Sequence, residues 1–234
     1  MTREIFSRSI PPFPMPALSP PSRLQSRAYE ELRRLIVSGE FTPGTFLSER
    51  QLAQQLAMSK TPVHVALERL ESEGFVTISA QQGVVVRSLS VEDIVDHYEL
   101  RDAIEGWVVR RLSGRLNEGQ QTQLHENLNQ QEEALLENDF ARLTHLDSEM
   151  HYLMCSFLNN REIIRTMERL RDKIHLVIHR VLATDPGRPR QSVKEHREIV
   201  DAIFSGDGDL AARLMTSHLE AGKRRVLNPS RFSD

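Results

Sequence analysis

The stretch from Ser48 to Phe75 constrains the fold of this chain most strongly, because it reads as two short helices joined by a tight turn. Apolar residues recur at helical spacing in each half, and Ala57 and Met58 connect the halves. The apolar positions are Leu52, Ala53 and Leu56 in the first half and Val63, Leu67 and Leu70 in the second. The pattern predicts a helix-turn-helix.

The second of these helices begins with polar residues that suit a surface for reading DNA. Ser59 or Thr61 can cap the helix, and Pro62 falls in its first turn, where a missing N–H costs little. Lys60, Thr61 and His64 lie off the apolar stripe near the N-terminal end. A recognition helix presents its base-reading side chains at that end, so we expect these residues to face DNA.

A β-hairpin is predicted directly after this helix. Gly74 ends the helix, the strand 76–78 follows, and a turn at 81–83 leads into the return strand 84–87. A helix over Leu24–Ser38 precedes the helix-turn-helix, with Pro43 and Gly44 in the intervening turn. The whole segment therefore has the element order of a winged helix.

Residues 26–88 resemble the winged helix of the GntR family of bacterial transcription regulators. The matching residues, in order, are Tyr29, Ile36, Pro43, Gly44, Leu47, Ser48, Glu49, Arg50, Leu52, Ala53, Ser59, Thr61, Pro62, Val63, Ala66, Leu67, Leu70, Glu73, Gly74 and Gly83. A small helical subdomain that binds no DNA is the alternative, but it leaves the agreement of wing, cap and turn unexplained.

This resemblance implies a set of residues that contact a double-stranded DNA operator: Arg50, Ser59, Lys60, Thr61 and His64 on the helices, with Gln82 and Gly83 at the wing tip in the minor groove. Many family members carry arginine where this chain has Lys60 and His64. Because arginine forks onto guanine and neither replacement can, we expect an altered or relaxed base preference.

Charge alone does not identify a DNA-binding protein. The net charge is −3; residues 1–88 hold ten Lys and Arg against eight Asp and Glu, and the remainder holds 20 against 25. The N-terminal part is only mildly basic, so the argument for DNA rests on the motif.

The rest of the composition is consistent with a cytoplasmic protein. Cys155 is the only cysteine, which excludes an internal disulfide, and no apolar run approaches the roughly 20 residues of a membrane span. The prolines within residues 1–22 interrupt any signal-like apolar core and predict a flexible leader. We therefore expect no membrane partner.

After a short linker at 88–90, the apolar period predicts only helices. Ser90 is a good N-cap, and apolar residues that include Trp107 mark the first helix. The expected helices run from Val91 to near Gly114, Asn117 to about Glu137, Asp139–Leu158, Glu162–Ala183, about Gln191 to Phe204, and Asp207–Arg225, with a loop at 184–189. This half is expected to form an all-α antiparallel bundle.

Three of these helices carry residue types that bind metals. Asp147 and His151 are four residues apart and share a face, while His196 and His218 lie on two later helices. One carboxylate and three imidazoles form a plausible ligand set for Zn²⁺, Ni²⁺ or a similar divalent ion. By spacing alone, however, a lone histidine is more often a surface residue or a hydrogen-bonded core residue than a metal ligand.

Residues 91 to about 225 resemble the FCD-type ligand-binding domain of the FadR branch of these regulators. The shared pattern is Asp147/His151, Asn160, Glu195-His196, Gly206-Asp207 and His218-Leu219. This resemblance implies metal binding by Asp147, His151, His196 and His218, and a pocket that faces an arginine of the first helix. In this chain that arginine is Arg101, which can grip a small carboxylate. The alternative is an exposed Arg101 paired with Glu105.

The remaining histidines are His97, His125, His145, His175 and His179, which fall outside the pattern. Surface or helix-face positions are expected for them, although His175 or His179 can line the pocket.

The chain is therefore expected to be mainly α. It comprises a leader (1–22), a winged helix-turn-helix domain with a small β-hairpin wing (23–88), an all-helical FCD-type effector and dimerisation domain (89–227) and a tail (228–234). The corresponding function is a homodimeric repressor that senses a small organic acid at a metal-containing pocket. A metal-responsive regulator without an organic effector is one alternative, and a metallohydrolase is another.

Overall fold

The computed structural model describes residues 22–79, 83–182 and 187–227, with side chains described throughout except at 172 and 174–182. Its elements are α1 (Arg23–Val37), β1 (Phe46–Leu47), α2 (Glu49–Gln55), α3 (Lys60–Ser72), β2 (Val76–Ser79), β3 (Gly83–Val86), α4 (Val91–Leu112), α5 (Glu118–Glu137), α6 (Phe140–Phe157), α7 (Arg161–Leu182), α8 (Arg188–Ser205) and α9 (Gly208–Leu227). This mainly helical fold with a small antiparallel sheet confirms the predicted fold class. The predicted leader, except Ser22, and the predicted tail lie outside the described residues.

The N-terminal elements pack around the apolar stripes of α1 and α3. Leu32, Leu67 and Leu70 are almost completely buried in this core. The turn between α2 and α3 closes where the Met58 N–H donates to the Ala53 carbonyl, 2.9 Å away, and Ala57 takes a left-handed φ of 51°. Of the two residues expected to cap α3, Ser59 occupies the N-cap position, but its side chain makes no capping hydrogen bond there.

The wing has one more strand than the sequence predicted. The strand order is β1-β3-β2, with Phe46 opposite Val85 and Val76 opposite Val86 in antiparallel pairs. β1 has only two residues, which is too short for the alternation that identifies a strand. Gly83 begins β3 with a φ of +82°, a conformation that favours glycine. Gln82 lies outside the described residues.

The helices from α4 onward form one bundle around a separate apolar core. Ser90 caps α4 in a capping box with Asp93, as the sequence predicted. Leu124, Met150 and Met215 are among the largest fully buried side chains.

The helix ends lie close to the predicted ones, with α8 the main exception. It begins at Arg188 rather than near Gln191, and Pro189 sits in its first turn, where no N–H is needed. Part of the predicted loop at 184–189 is therefore helical. Within the described ranges, none of the helices is long and apolar enough to cross a membrane.

Candidate functional site

The four predicted metal ligands lie together inside the helical bundle. Asp147 and His151 come from α6, His196 from α8 and His218 from α9, and all four are buried. One ligand atom from each residue lies within 4.8 Å of all the others. His196 Nε2 is 3.3 Å from His218 Nε2 and 3.4 Å from Asp147 Oδ1. The carboxylate and the three Nε2 atoms thus face one small volume.

The apolar spacing of the three helices explains this convergence. Each of the four residues shares its helix face with core residues: Leu143 and Met150 in α6, Ile199 and Ile203 in α8, and Met215 and Leu219 in α9. Because these faces must be buried for the bundle to form, the polar side chains on them are carried into the interior.

The opposite ring nitrogen of each histidine meets an oxygen atom. Nδ1 of His151 contacts the Glu105 carboxylate, Nδ1 of His196 lies 2.7 Å from Gln131 Oε1, and Nδ1 of His218 lies 2.8 Å from Glu195 Oε2. A proton on each Nδ1 satisfies these oxygens and leaves the Nε2 lone pair directed into the site. Metal-ligating histidines are usually oriented in this way.

Electrostatics favours the neutral rings that metal binding requires. Burial lowers the pKa of His218 to about 4, although its hydrogen bond to Glu195 acts in the opposite direction. Burial, together with the nearby His218 and His151 rings, also lowers the pKa of His196 well below its usual range. Both imidazoles are therefore uncharged at neutral pH and keep a lone pair for a metal.

One buried atom of the site has no partner. Nε2 of His151 is shielded from solvent and forms no hydrogen bond with any described residue. It lies 4.0 Å from Asp147 Oδ2, too far for a hydrogen bond. An unsatisfied buried acceptor is costly, and a divalent ion among the four residues would satisfy it. The donor set of three imidazoles and one carboxylate is of the kind that binds zinc or nickel.

Arg101 lies beside this site, but it is not exposed. Its side chain is 3% exposed, and Nε donates to Glu105 Oε1 at 2.6 Å. The pairing with Glu105 considered as the alternative is present, whereas the exposure assumed with it was wrong. Burial alone would raise the pKa of Glu105, but the charge of Arg101 and the contact with His151 lower it to about 2. Glu105 therefore connects Arg101 to His151 of the cluster.

A second buried arginine was missed by the sequence analysis. Arg188 is 4% exposed at the start of α8, and its Nη1 donates to Glu195 Oε2 at 2.7 Å. Its Nη2 lies 3.3 Å from His218 Nδ1. From the sequence, Glu195 was named only within the family pattern Glu195-His196. Its position next to the candidate ligand His196 was the signal that could have identified it. Nothing in the local sequence marked Arg188 or Gln131.

The other histidines do not contribute to this cluster where they are described. His125 is exposed and its ring lies 4.9 Å from that of Phe204; His145 is also exposed, and His97 contacts the Asp93 carbonyl. These positions fit the helix-face roles expected for them. The side chains of His175 and His179 lie outside the described residues.

At the other end of the molecule, the residues expected to contact DNA are on the surface. Arg50, Ser59, Lys60, Thr61, His64 and Gly83 are all exposed. The ring of His64 is held between two carboxylates, with Nδ1 2.8 Å from Glu49 Oε1 and Nε2 3.4 Å from Glu68 Oε1. The Glu49 hydrogen bond raises the pKa of His64 above its ordinary value.

Comparison with known proteins agrees with both halves of the structure. Residues 24–86 match the family described as bacterial regulatory proteins, gntR family, and residues 96–221 match the FCD domain. The chain belongs to the GntR family. It is a transcriptional regulator rather than an enzyme, which confirms that expectation and removes the metallohydrolase alternative.

Individual relatives support this assignment along most of the chain. The HTH-type transcriptional repressor RspR of Escherichia coli is 31% identical over 204 residues, covering 87% of this chain and 89% of that protein. The Nta operon transcriptional regulator of Aminobacter aminovorans is 30% identical, covering 82% and 90%. A crystal structure of a GntR regulator from Rhodococcus sp. RHA1 has a TM-score of 0.75 and 26% identity, and the match covers 87% of this chain and 97% of that one.

Proposed function

We propose that this GntR-family regulator is a homodimeric repressor whose helical domain senses a small carboxylate at a metal-containing pocket. The observation that carries the proposal is the buried cluster of Asp147, His151, His196 and His218. Its Nε2 atoms point inward, and one of them has no partner. A site of this composition is costly to bury without a ligand, so it is unsuited to a purely structural role.

The metal is proposed to be Zn²⁺ or Ni²⁺, held by the four residues of the cluster. Four protein ligands leave one or more positions for an added oxygen when the ion prefers five or six partners. A bound divalent ion would supply a Lewis-acidic position for an anionic ligand oxygen. The chain's own contribution is to orient the ligands through Glu105, Gln131 and Glu195, which accept from the Nδ1 side of each ring.

Arg101 and Arg188 are proposed to hold the carboxylate. The hydrogen bond from Arg101 to Glu105 uses Nε, so its Nη groups can turn to a ligand. Arg188 approaches the cluster from the side of His218. Two guanidinium groups beside a cation favour an anion of small size, because the surrounding bundle is closely packed.

Recognition of DNA is assigned to the N-terminal domain. Arg50, Ser59, Lys60, Thr61 and His64 are proposed to contact the major groove and the adjacent phosphates, and Gln82 and Gly83 the minor groove. In the free protein the His64 ring contacts the Glu49 carboxylate. To contact a base, His64 must either break this contact or bring the Glu49 side chain with it. This supports the expected departure from the base preference that arginine would give.

Repression and dimerisation complete the proposal. RspR is named a repressor, and so is a probable D-xylose utilization operon repressor from Paenarthrobacter nicotinovorans that is 26% identical. Two winged helices related by a two-fold axis read a palindromic operator. A coupling of about 1–3 kcal/mol between ligand and DNA changes operator affinity about 5- to 150-fold. Such a regulator acts on the chromosome, and so in the cytoplasm.

The experiment is a selection of genomic fragments by the purified full chain at a stated salt concentration. The protein is used metal-free, loaded with Zn²⁺ or Ni²⁺, and loaded in the presence of a panel of small carboxylic acids. A few palindromic fragments whose binding changes with an acid support the proposal. Binding that follows metal alone would favour the metal-responsive alternative. Sequence-blind, salt-sensitive binding in every arm would refute the operator function.

Two variants separate the role of the pocket from that of the DNA-binding domain. Asp147→Ala removes the carboxylate of the cluster, and His64→Arg changes only the recognition helix. We expect Asp147→Ala to bind the same fragments without responding to the acids. His64→Arg should respond normally but select a different half-site. The reverse assignment of these two effects would contradict the proposed division of labour.

A further inference from the structure

The outward face of α4 carries apolar residues that the bundle leaves uncovered. Trp107 is 48% exposed and Leu100 is 42% exposed, and Ala103 is exposed between them. The three residues lie on one side of the helix because they are three and four positions apart. Tyr98 and Val108 on the other side are buried in the core. An exposed tryptophan within such a stripe is typical of a protein interface.

Charged residues extend this stripe in both directions, with opposite signs. Asp96 and Glu99 are exposed on its N-terminal side, and Arg110 and Arg111 on its C-terminal side. The helix dipole favours this order of charges only within the first and last turns. That explains the two arginines, which lie in the last turn. Asp96 and Glu99 are the sixth and ninth residues of a helix that begins at Val91, so the dipole does not account for their position.

We propose that this α4 face (Asp96, Leu100, Ala103, Trp107 and Arg111) is the surface on which a second copy of the chain docks. A two-fold axis perpendicular to α4 next to Ala103 would lay the two helices antiparallel. Asp96 then lies opposite the partner subunit's Arg111, and Leu100 lies opposite the partner subunit's Trp107. An isologous contact requires a self-complementary surface of this kind.

The shape beside the stripe is compatible with this arrangement. An open groove of about 500 Å³ runs between α4 and α9 and is lined by Trp107, Gly106, Ala212 and Thr216 among others. Gly106 has no side chain and Ala212 has a small one, so the base of the groove is left open. A large side chain from the opposing helix can enter it, as knobs enter holes between packed helices.

A second copy fits this face better than an unrelated partner does. An unrelated protein would need its own surface with basic, apolar and acidic parts in that order. A second copy of α4 that lies antiparallel to the first presents its own parts in this order. The inference rests on the proposed function only in that a palindromic operator requires two copies. It adds which surface joins them.

The test exchanges the charges at the two ends of the face in the full chain. Asp96→Arg and Arg111→Asp are made separately and together, and Glu126→Arg on an exposed part of α5 serves as the control. Dimer dissociation constants are measured by sedimentation velocity over a concentration series. Circular dichroism establishes that each variant is folded.

We expect each single exchange to weaken dimerisation by about tenfold or more, because each creates like-charge pairs at two places. The double variant restores the pairs in exchanged form and should dimerise within about threefold of the original chain. Trp107→Ser should weaken the dimer by about tenfold or more, and Glu126→Arg should leave it unchanged.

Single variants that dimerise as tightly as the original chain would overturn the inference, and so would a double variant no better than the singles. An original chain that stays monomeric at micromolar concentration would also overturn it. Failure of operator selection with these dimer results intact would refute the proposed function and leave the α4 interface standing.

Discussion

Loss of the Glu105 carboxylate should destabilise the helical domain strongly, because two buried groups depend on it. It is 1% exposed, its Oε1 accepts from Arg101 Nε at 2.6 Å, and its Oε2 contacts Nδ1 of His151. Glu105→Gln keeps the size and an acceptor oxygen but removes the charge. The guanidinium of Arg101, 3% exposed, then has no counter-charge in this pair.

The expected magnitude follows from the cost of an uncompensated buried charge. Removing one partner of a buried ion pair costs about 3–5 kcal/mol. For a chain of this length, 3 kcal/mol corresponds to a fall in Tm of about 6–12 °C. Arg101→Met should cost about the same, since it leaves the Glu105 carboxylate buried with only His151 as partner.

The double variant distinguishes a charge effect from a packing effect. With Arg101→Met and Glu105→Gln together, neither charge remains, and the loss should be at least about 2 kcal/mol smaller than the sum of the single losses. The assay is urea unfolding followed by circular dichroism, with a chelator present so that metal binding does not contribute. Losses that add within about 0.5 kcal/mol would refute the assignment of Glu105 as the buried counter-charge of Arg101.

Two further predictions concern the N-terminal domain. NMR titration should give His64 a pKa above the ordinary 6.5, because Glu49 stabilises the protonated ring. While the Glu49 carboxylate is charged, the pair therefore stabilises the fold below about pH 6.5 and loses this effect as the pH rises through the raised pKa of His64. Glu49→Gln should bring that pKa back towards 6.5, and an unchanged value would show that Glu49 is not the cause. Ala57→Gly should raise the unfolding free energy by up to about 1 kcal/mol, because glycine adopts a φ of 51° without the steric cost that alanine bears. A thermal melt of the two chains checks this, and a lower Tm for the glycine variant would contradict the steric argument.

The fold was largely predictable because apolar residues follow helical spacing in nearly every segment. The same spacing predicted that Asp147, His151, His196 and His218 can converge, since each shares a face with core residues. The prediction did not need the order in which the helices pack. It required only that the three apolar faces meet, which a single bundle core enforces.

The supporting residues were not predictable, because they depend on which helices become neighbours. Gln131 reaches His196 from α5, and Arg188 reaches His218 from the first turn of α8. Neither has a local signature. Trp107 was counted among the apolar residues that mark α4, but its side chain faces outward. A hydrophobic period of 3.6 residues identifies a helix more reliably than it defines the limits of the helix's buried face.

The most direct measurement is the metal content of the purified protein, prepared without chelator and analysed by inductively coupled plasma mass spectrometry. We expect about one zinc or nickel ion per chain in the original protein. Most of that metal should be lost in His196→Ala, and none in His125→Ala, whose ring is exposed and outside the cluster. Protein that remains metal-free after incubation with Zn²⁺ and Ni²⁺, or metal retained equally by His196→Ala, would contradict the claim that this cluster is a metal site.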